Sequence, residues 1–264
     1  MNATLPDSGA RLRALLSAAG HAAAALWSPR LAVSRKADGS PVTAADTAAE
    51  AVIVRGLRDA WPGDRIWSEE GGAEEGMGPG DSAWVVDPID GTSVYTEGLA
   101  HWGPTVARLV RDDGPWRLDR GALLLPRTGE FWYVEGGIAW CHDARMAPLA
   151  DLDPPRVLFL PSEFHRHARL VWHGKARCVG GTAAHLALVA RGAAHGAVVT
   201  QGWKPWDVAA GVGLLAAVGG VARTWPEGEP LDIFRHEGRP FVAGTPVAAH
   251  DLLFGGHILP HPLE

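Results

Sequence analysis

A short apolar run, Trp84-Val85-Val86, ends in Asp87-Pro88-Ile89-Asp90-Gly91-Thr92, and this junction restricts the fold more than any other stretch. The run has the composition of a buried strand. Pro88 fixes its own φ and donates no ladder hydrogen bond, so the strand is expected to stop there, and Gly91 permits the sharp turn that brings Asp90 back beside Asp87. Two carboxylates at the mouth of an apolar core repel each other and lose hydration. A cation between them removes both penalties, and the Ile89 carbonyl at the turn adds an oxygen suited to a hard ion such as Mg²⁺. Thr92 opens a short helix, so the N–H groups of Gly91, Thr92 and Ser93 point at the same spot and fit a phosphate.

The rest of the chain supplies alternating helical and extended signals. Leu12, Leu15, Leu16, Ala19 and Ala23 predict a helix over 11–27. Thr43 followed by Asp46 reads as a capping box opening a second helix that ends at Trp61-Pro62-Gly63. Runs at 84–86, 105–110, 121–125 and 130–135 predict an antiparallel meander. Asp151-Leu-Asp-Pro-Pro155 reads as a connector. Beyond it strands at 156–160 and 197–200 alternate with helices at 182–191 and 206–218. The expected organisation is an N-terminal α+β lobe over 1–150, an α/β lobe over 151–264, and a cleft between them.

Composition narrows the function classes. Of 264 residues 47% are hydrophobic, no apolar stretch reaches the roughly 20 residues of a membrane span, and the first residues lack a secretion-signal pattern. A cytoplasmic protein is expected. The formal charge of −6 without a Lys/Arg cluster argues against phosphate-backbone binding and hence against a nucleic-acid partner. Two distant cysteines, Cys141 and Cys178, indicate neither a disulfide framework nor a zinc site and read as buried thiols. His165 and His167, the one close pair among scattered histidines, read as surface residues.

Four acids stand next to Gly, Pro or Trp: Glu69 in Trp67-Ser-Glu-Glu-Gly-Gly72, Asp87, Asp90, and Asp207 in Lys204-Pro-Trp-Asp-Val-Ala-Ala-Gly211. Each also has a plain structural role open to it. Asp87 and Asp90 suit a turn, Asp207 the first turn of a helix, Asp46 a cap and Glu69 a solvated loop. A lone Ca²⁺-stabilised loop leaves Thr43/Asp46 and Asp207 without a purpose. Asp90-Gly91-Thr92 also suits phosphatases that form an aspartyl-phosphate, but those carry an acid where this chain has Pro88, which disfavours the covalent route.

Taken in order, Lys36 with Gly39-Ser-Pro-Val-Thr-Ala-Ala-Asp46, Ser68-Glu-Glu70, Trp84 to Thr92, Gly180-Gly-Thr-Ala-Ala184 and Trp206-Asp-Val-Ala-Ala-Gly211 resemble the inositol monophosphatase-like family of metal-dependent, lithium-sensitive phosphatases. The resemblance implies a layered αβαβα sandwich with the metal site between two lobes, two or three Mg²⁺ ions, and a homodimer. It implies that Glu69, Asp87 and the Ile89 carbonyl hold one ion and Asp87, Asp90 and Asp207 a second. Glu69, Thr92 and Asp46 would position and deprotonate the attacking water, without a phosphoenzyme. The implied substrate is a small phosphate monoester such as a sugar or cyclitol phosphate, histidinol phosphate or a nucleoside bisphosphate, met by Asp90, Thr182, Ala183, Thr200 and Asp207. Members acting on inositol phosphates carry an acid near the position of Thr200, and its absence argues against that substrate. Lys204, Trp203 and Trp206 could face a flat or anionic portion, or Trp203 and Trp206 could pack the helix start, and Trp102 reads as core filling. The alternative is a catalytically silent member serving as a binding or regulatory protein.

Overall fold

The structure, a computed structural model, describes residues 4–36, 39–73, 81–154 and 157–260. Helical periodicity produces its first layer. Leu12, Leu16, Ala19 and Ala23 share the buried face of α1 (Asp7–Leu26), and Ala45, Ala49, Ile53 and Leu57 that of α2 (Ala44–Ala60). Thr43 caps α2 in a capping box with Asp46. A small antiparallel pair between the helices, Ser34–Arg35 (β1) and Pro41–Val42 (β2), leads into the segment that carries Lys36.

Eight strands form the next layer: Arg65–Ser68 (β3), Gly72–Ala73 (β4), Ser82–Asp90 (β5), Gly103–Val110 (β6), Arg117–Leu125 (β7), Glu130–Glu135 (β8), Ile138–Cys141 (β9) and Ala144–Arg145 (β10), in the order β10-β9-β8-β7-β6-β5-β3-β4. From β5 to β10 the pairing is the expected antiparallel meander, while β3 joins β5 in parallel. Side chains alternate between faces with the period of a strand. Trp84, Val86, Val106, Ala122, Leu124, Phe131 and Tyr133 pack with α1 and α2, whereas Leu123, Leu125, Trp132 and Val134 join the core on the other side. One expectation fails: β5 does not stop at Pro88. It continues to Asp90, and a register irregularity between Asp87 and Asp90 lets the missing Pro88 N–H fall where pairing with β6 is interrupted.

The second sheet is built from Val157–Phe159 (β11), Lys175–Arg177 (β13), Gly196–Val199 (β14), Val221–Thr224 (β15) and Phe241–Gly244 (β16), ordered β13-β11-β14-β16-β15. Ala168–Leu170 (β12) pairs separately with Ile258–Pro260 (β17). Pro155 and Arg156, at the end of the connector and the start of the predicted strand, lie outside the described residues. Helix α3 (Thr92–Thr96) follows β5, and α4 (Thr182–Ala190), α5 (Pro205–Ala217) and α6 (Pro246–Phe254) come from the second half. Ala197, Val199, Phe241 and Ala243 face α4 and α5, while Val198 and Val242 face Ala249 and Leu252 of α6. The layers therefore run α1/α2, eight-stranded sheet, α4/α5, five-stranded sheet, α6, the expected αβαβα sandwich. Among the described residues no helix is long and apolar enough to cross a membrane.

Candidate active site

Each acid arrives on a different element, and a local reason fixes each. Glu69 follows β3, and its own N–H donates to the Val86 carbonyl at 3.0 Å, which places it next to Asp87. Asp87 lies within β5, 3% exposed, with one oxygen accepting from the Ile89 N–H at 2.8 Å. Asp90 ends the strand. Its two oxygens accept from the N–H groups of Thr182 at 2.9 Å and Ala184 at 3.3 Å, so it caps α4 from ninety-two residues away. Asp207, on the first turn of α5, accepts from the Lys204 N–H at 2.7 Å.

Two glycines are required by this arrangement. Gly91 has φ +86°, a left-handed turn that a side chain would resist. A Cβ on Gly181 would sit 2.2 Å from an Asp90 oxygen, so only glycine lets that carboxylate reach the start of α4. This accounts physically for the Gly180-Gly181-Thr182 sequence.

The four carboxylates form one electrostatic cluster. Burial raises Asp87 well above the usual carboxylate range, and repulsion from Glu69, Asp207 and Asp90 adds to it. Asp90 is pushed up to about 7 by burial, against the opposing amides of α4, and Asp207 to about 8 by burial with Asp90 and Glu69 adding. Asp207 stays half-buried, its open edge on the cavity described below. Lys36 stands at the edge of the cluster, its ammonium 2.6 Å from both Glu69 and Glu70. Burial alone would lower the Lys36 pKa, yet these two partners raise it. One ammonium does not balance so many buried acids.

Oxygen-only donors of this kind fit a hard divalent cation such as Mg²⁺. Among the described residues no three acidic, His or Cys side chains already stand as an open coordination shell. The hydrogen bonds explain this: Glu69 leans on Lys36, Asp90 on α4 and Asp207 on Lys204, and an incoming ion would replace part of those contacts.

Behind the acids, Thr92 Oγ1 lies 3.1 Å from Asp46 and 3.2 Å from the Ile89 carbonyl, so one hydroxyl links the α2 cap to the turn. The Asp46 carboxylate also accepts from the Thr43 N–H and hydroxyl at 2.8 and 2.7 Å. Burial raises its pKa despite these bonds. Gly91 is half-buried, and Ser93, on the first turn of α3, is exposed. Ala183 has its side chain in the core and its amide toward Asp90.

A cavity of about 220 Å³ opens beside Asp207, lined by Thr182, His185, Thr200, Gln201 and Trp203 among others. Thr182 and Thr200 therefore line the same cavity as Asp207. Trp203 also donates its indole N–H to Arg239 and packs on Phe241. Trp206 does not reach the cavity; it packs edge-on against Trp67 at 5.4 Å. Lys204 points its ammonium to Glu237 at 2.7 Å rather than toward a ligand. Trp102 is fully buried against Tyr95, as core filling. Both cysteines are free, but Cys178 is exposed and Cys141 half-buried, contrary to the expectation of buried thiols. His185 was not foreseen from sequence, because a histidine among apolar helix residues carries no signal distinguishing wall from core.

The family model for the inositol monophosphatase family matches residues 10–114 and 154–254. The chain is 32% identical over 209 residues to the 3′(2′),5′-bisphosphate nucleotidase CysQ of Escherichia coli, covering 76% of this chain and 82% of that one. It is 33% identical over 207 residues to the Nus factor SuhB of Pseudomonas aeruginosa, covering 72% and 74%. Among solved structures, the Thermotoga maritima IMPase superposes with a TM-score of 0.77 at 25% identity over 94% of this chain and 95% of that one.

Proposed function

The chain belongs to the inositol monophosphatase family and is a phosphatase, and from that premise we propose that it hydrolyses a small phosphate monoester with the help of Mg²⁺ held by Glu69, Asp87, the Ile89 carbonyl, Asp90 and Asp207. The observation that carries the proposal is the cluster of buried acids itself. Buried acids that raise one another's pKa want a multivalent cation, and a phosphate dianion approaches such a cluster only when cations reverse its field. When bound, the ions supply Lewis-acid charge stabilisation and activate water for an in-line displacement.

The protein's own part is positioning and proton handling. A bond forms between water oxygen and phosphorus, the bond from phosphorus to the ester oxygen breaks, and the departing oxygen takes up a proton to leave as an alcohol. Thr92, tied to Asp46, orients the attacking water, and the Asp46 carboxylate, raised by burial, stands two hydrogen bonds away to share its proton. Amides at the start of α3 face the phosphate. No covalent aspartate is needed, since Pro88 occupies the position an aspartyl-phosphate chemistry would use for an acid.

The same family reading carries two or three Mg²⁺ ions, inhibition by lithium and a homodimer. Every carboxylate that the chemistry needs is present in the sequence, which argues mildly against a purely binding or regulatory role. Phosphate release from a panel of sugar, cyclitol, histidinol and nucleotide esters, with chelator and with restored Mg²⁺, tests the proposal. Metal-dependent release from at least one ester is expected; silence across the panel with Mg²⁺ present would contradict it.

A further inference from the structure

Apart from Asp207, the one titratable side chain among the described residues lining the 220 Å³ cavity is His185. It is the fourth residue of α4, and its ring lies parallel to Phe159 with centroids 5.2 Å apart. The Val179 backbone N–H donates to His185 Nε2 at 3.1 Å. A backbone amide can only donate, so Nε2 is the bare nitrogen and the neutral ring carries its proton on Nδ1. Burial, with His101 adding, holds the pKa down to about 4, which keeps the ring uncharged near neutral pH.

No Lys or Arg lines this cavity among the described residues, and the neighbouring Lys204 is paired with Glu237. Away from the Asp207 edge, where Mg²⁺ would be held, its polar side-chain groups are the hydroxyls of Thr182 and Thr200, the Gln201 amide and the imidazole. Such a wall satisfies hydrogen bonds without compensating a negative charge, and a second phosphate placed there would lose hydration for no counterion.

Resting on the hydrolase reading above, we propose that His185 determines specificity by donating its Nδ1–H to an acceptor on the leaving group. The cavity then selects an uncharged polar leaving group, such as a nucleoside or sugar with a ring nitrogen, carbonyl or ring oxygen, over one bearing a second phosphate. A pocket built to donate a hydrogen bond discriminates strongly between partners with and without an acceptor, because the unpaired donor is penalised.

The test uses the Mg²⁺-loaded enzyme and three esters: a nucleoside 3′-monophosphate, the matching 3′,5′-bisphosphate, and phenyl phosphate, whose leaving group lacks a strong acceptor in its ring. The wild type is expected to favour the monophosphate over the bisphosphate at least about tenfold in kcat/KM. His185→Gln keeps an acceptor for Val179 but lacks a donor at the Nδ1 position. It is expected to reduce the preference for the nucleoside monophosphate over phenyl phosphate about tenfold, chiefly through KM, and His185→Asn, with an amide N–H near Nδ1, to restore most of it. Preference for the bisphosphate in the wild type, which needs no variant to fold, would overturn the inference, as would a His185→Gln effect equal on all esters. Absence of turnover on all three would overturn this inference, and silence that extends to the sugar, cyclitol and histidinol esters would overturn the hydrolase reading with it.

Discussion

At the scale of single residues, the chemistry rests on acids whose environments differ although their types do not. Asp87 is buried and feels the charge of Glu69, Asp207 and Asp90, so Asp87→Asn should reduce phosphate release more than about a hundredfold and weaken Mg²⁺ binding together. Thr92 touches Asp46 and the Ile89 carbonyl rather than standing in the cluster. Thr92→Val should therefore lower kcat roughly 10–100-fold while leaving Mg²⁺ affinity within about threefold of wild type. Binding calorimetry beside steady-state kinetics separates the two, and a Thr92→Val protein that no longer binds Mg²⁺ would place the hydroxyl among the ligands instead. The acids themselves were legible in sequence because Pro88, Gly91 and Pro205 punctuate the backbone around them. Their bonding partners were not: the grip of Lys36 on Glu69 and Glu70, and the Glu50 carboxylate accepting the Glu70 N–H at 3.0 Å, depend on how loops from separate elements fall together.

At the scale of elements, the start of α4 and the edge of β5 are held by contacts that sequence periodicity does not announce. Gly181→Ala would drive a methyl into Asp90, costing about 1–3 kcal/mol of stability and weakening Mg²⁺ binding about tenfold as the carboxylate is displaced. Chemical denaturation with and without Mg²⁺ measures both. Just before β3 and beside the start of β5, Asp64 receives two bonds from Arg108 at 2.6 and 2.8 Å, one from the Trp84 indole at 2.9 Å and one from Ser82. Burial alone would raise the Asp64 pKa, but the Arg108 and Ser82 bonds outweigh it and lower it. A folded-state pKa below the unfolded value means this contribution is complete above about pH 4 and is lost as pH falls through the depressed value. Asp64→Asn should cost about 2–3 kcal/mol at pH 7 and flatten the acid limb of the stability curve; an unchanged acid limb would show that the carboxylate is not paired in solution. Helices α1 and α2 and the meander were readable because their apolar periods are long. The segment Phe241–Gly244 is too short for a period to show, and α6 is only nine residues long, so Thr245-Pro246 is its one clear start signal.

At the scale of the whole molecule, the two-lobe organisation is proposed as an arrangement around the site rather than as two independent folding units. Leu123, Leu125, Trp132 and Val134 from the first half share one core with α4, α5, Ala197, Val199 and Phe241 from the second. Residues 1–150 alone would expose that face, so neither half should show a cooperative thermal transition by circular dichroism, whereas the full chain should; a sharp melt from either half would contradict a shared core. The mixed α and β organisation followed from the order of strand and helix signals and the layered sandwich from the family resemblance, but the shared core followed from neither, because the packing of α4 and α5 between two sheets is set by contacts far apart in sequence. The acids reach one another only through that packing, Asp207 from α5 and the others from the first sheet. The most direct measurement is therefore titration of chelator-treated protein with Mg²⁺, followed by melting temperature and phosphate release, for wild type, Asp87→Asn and Asp207→Asn. A Mg²⁺-induced rise in melting temperature and onset of hydrolysis in wild type, with both greatly weakened in each variant, is the predicted result. Equal Mg²⁺ responses in all three proteins would contradict it.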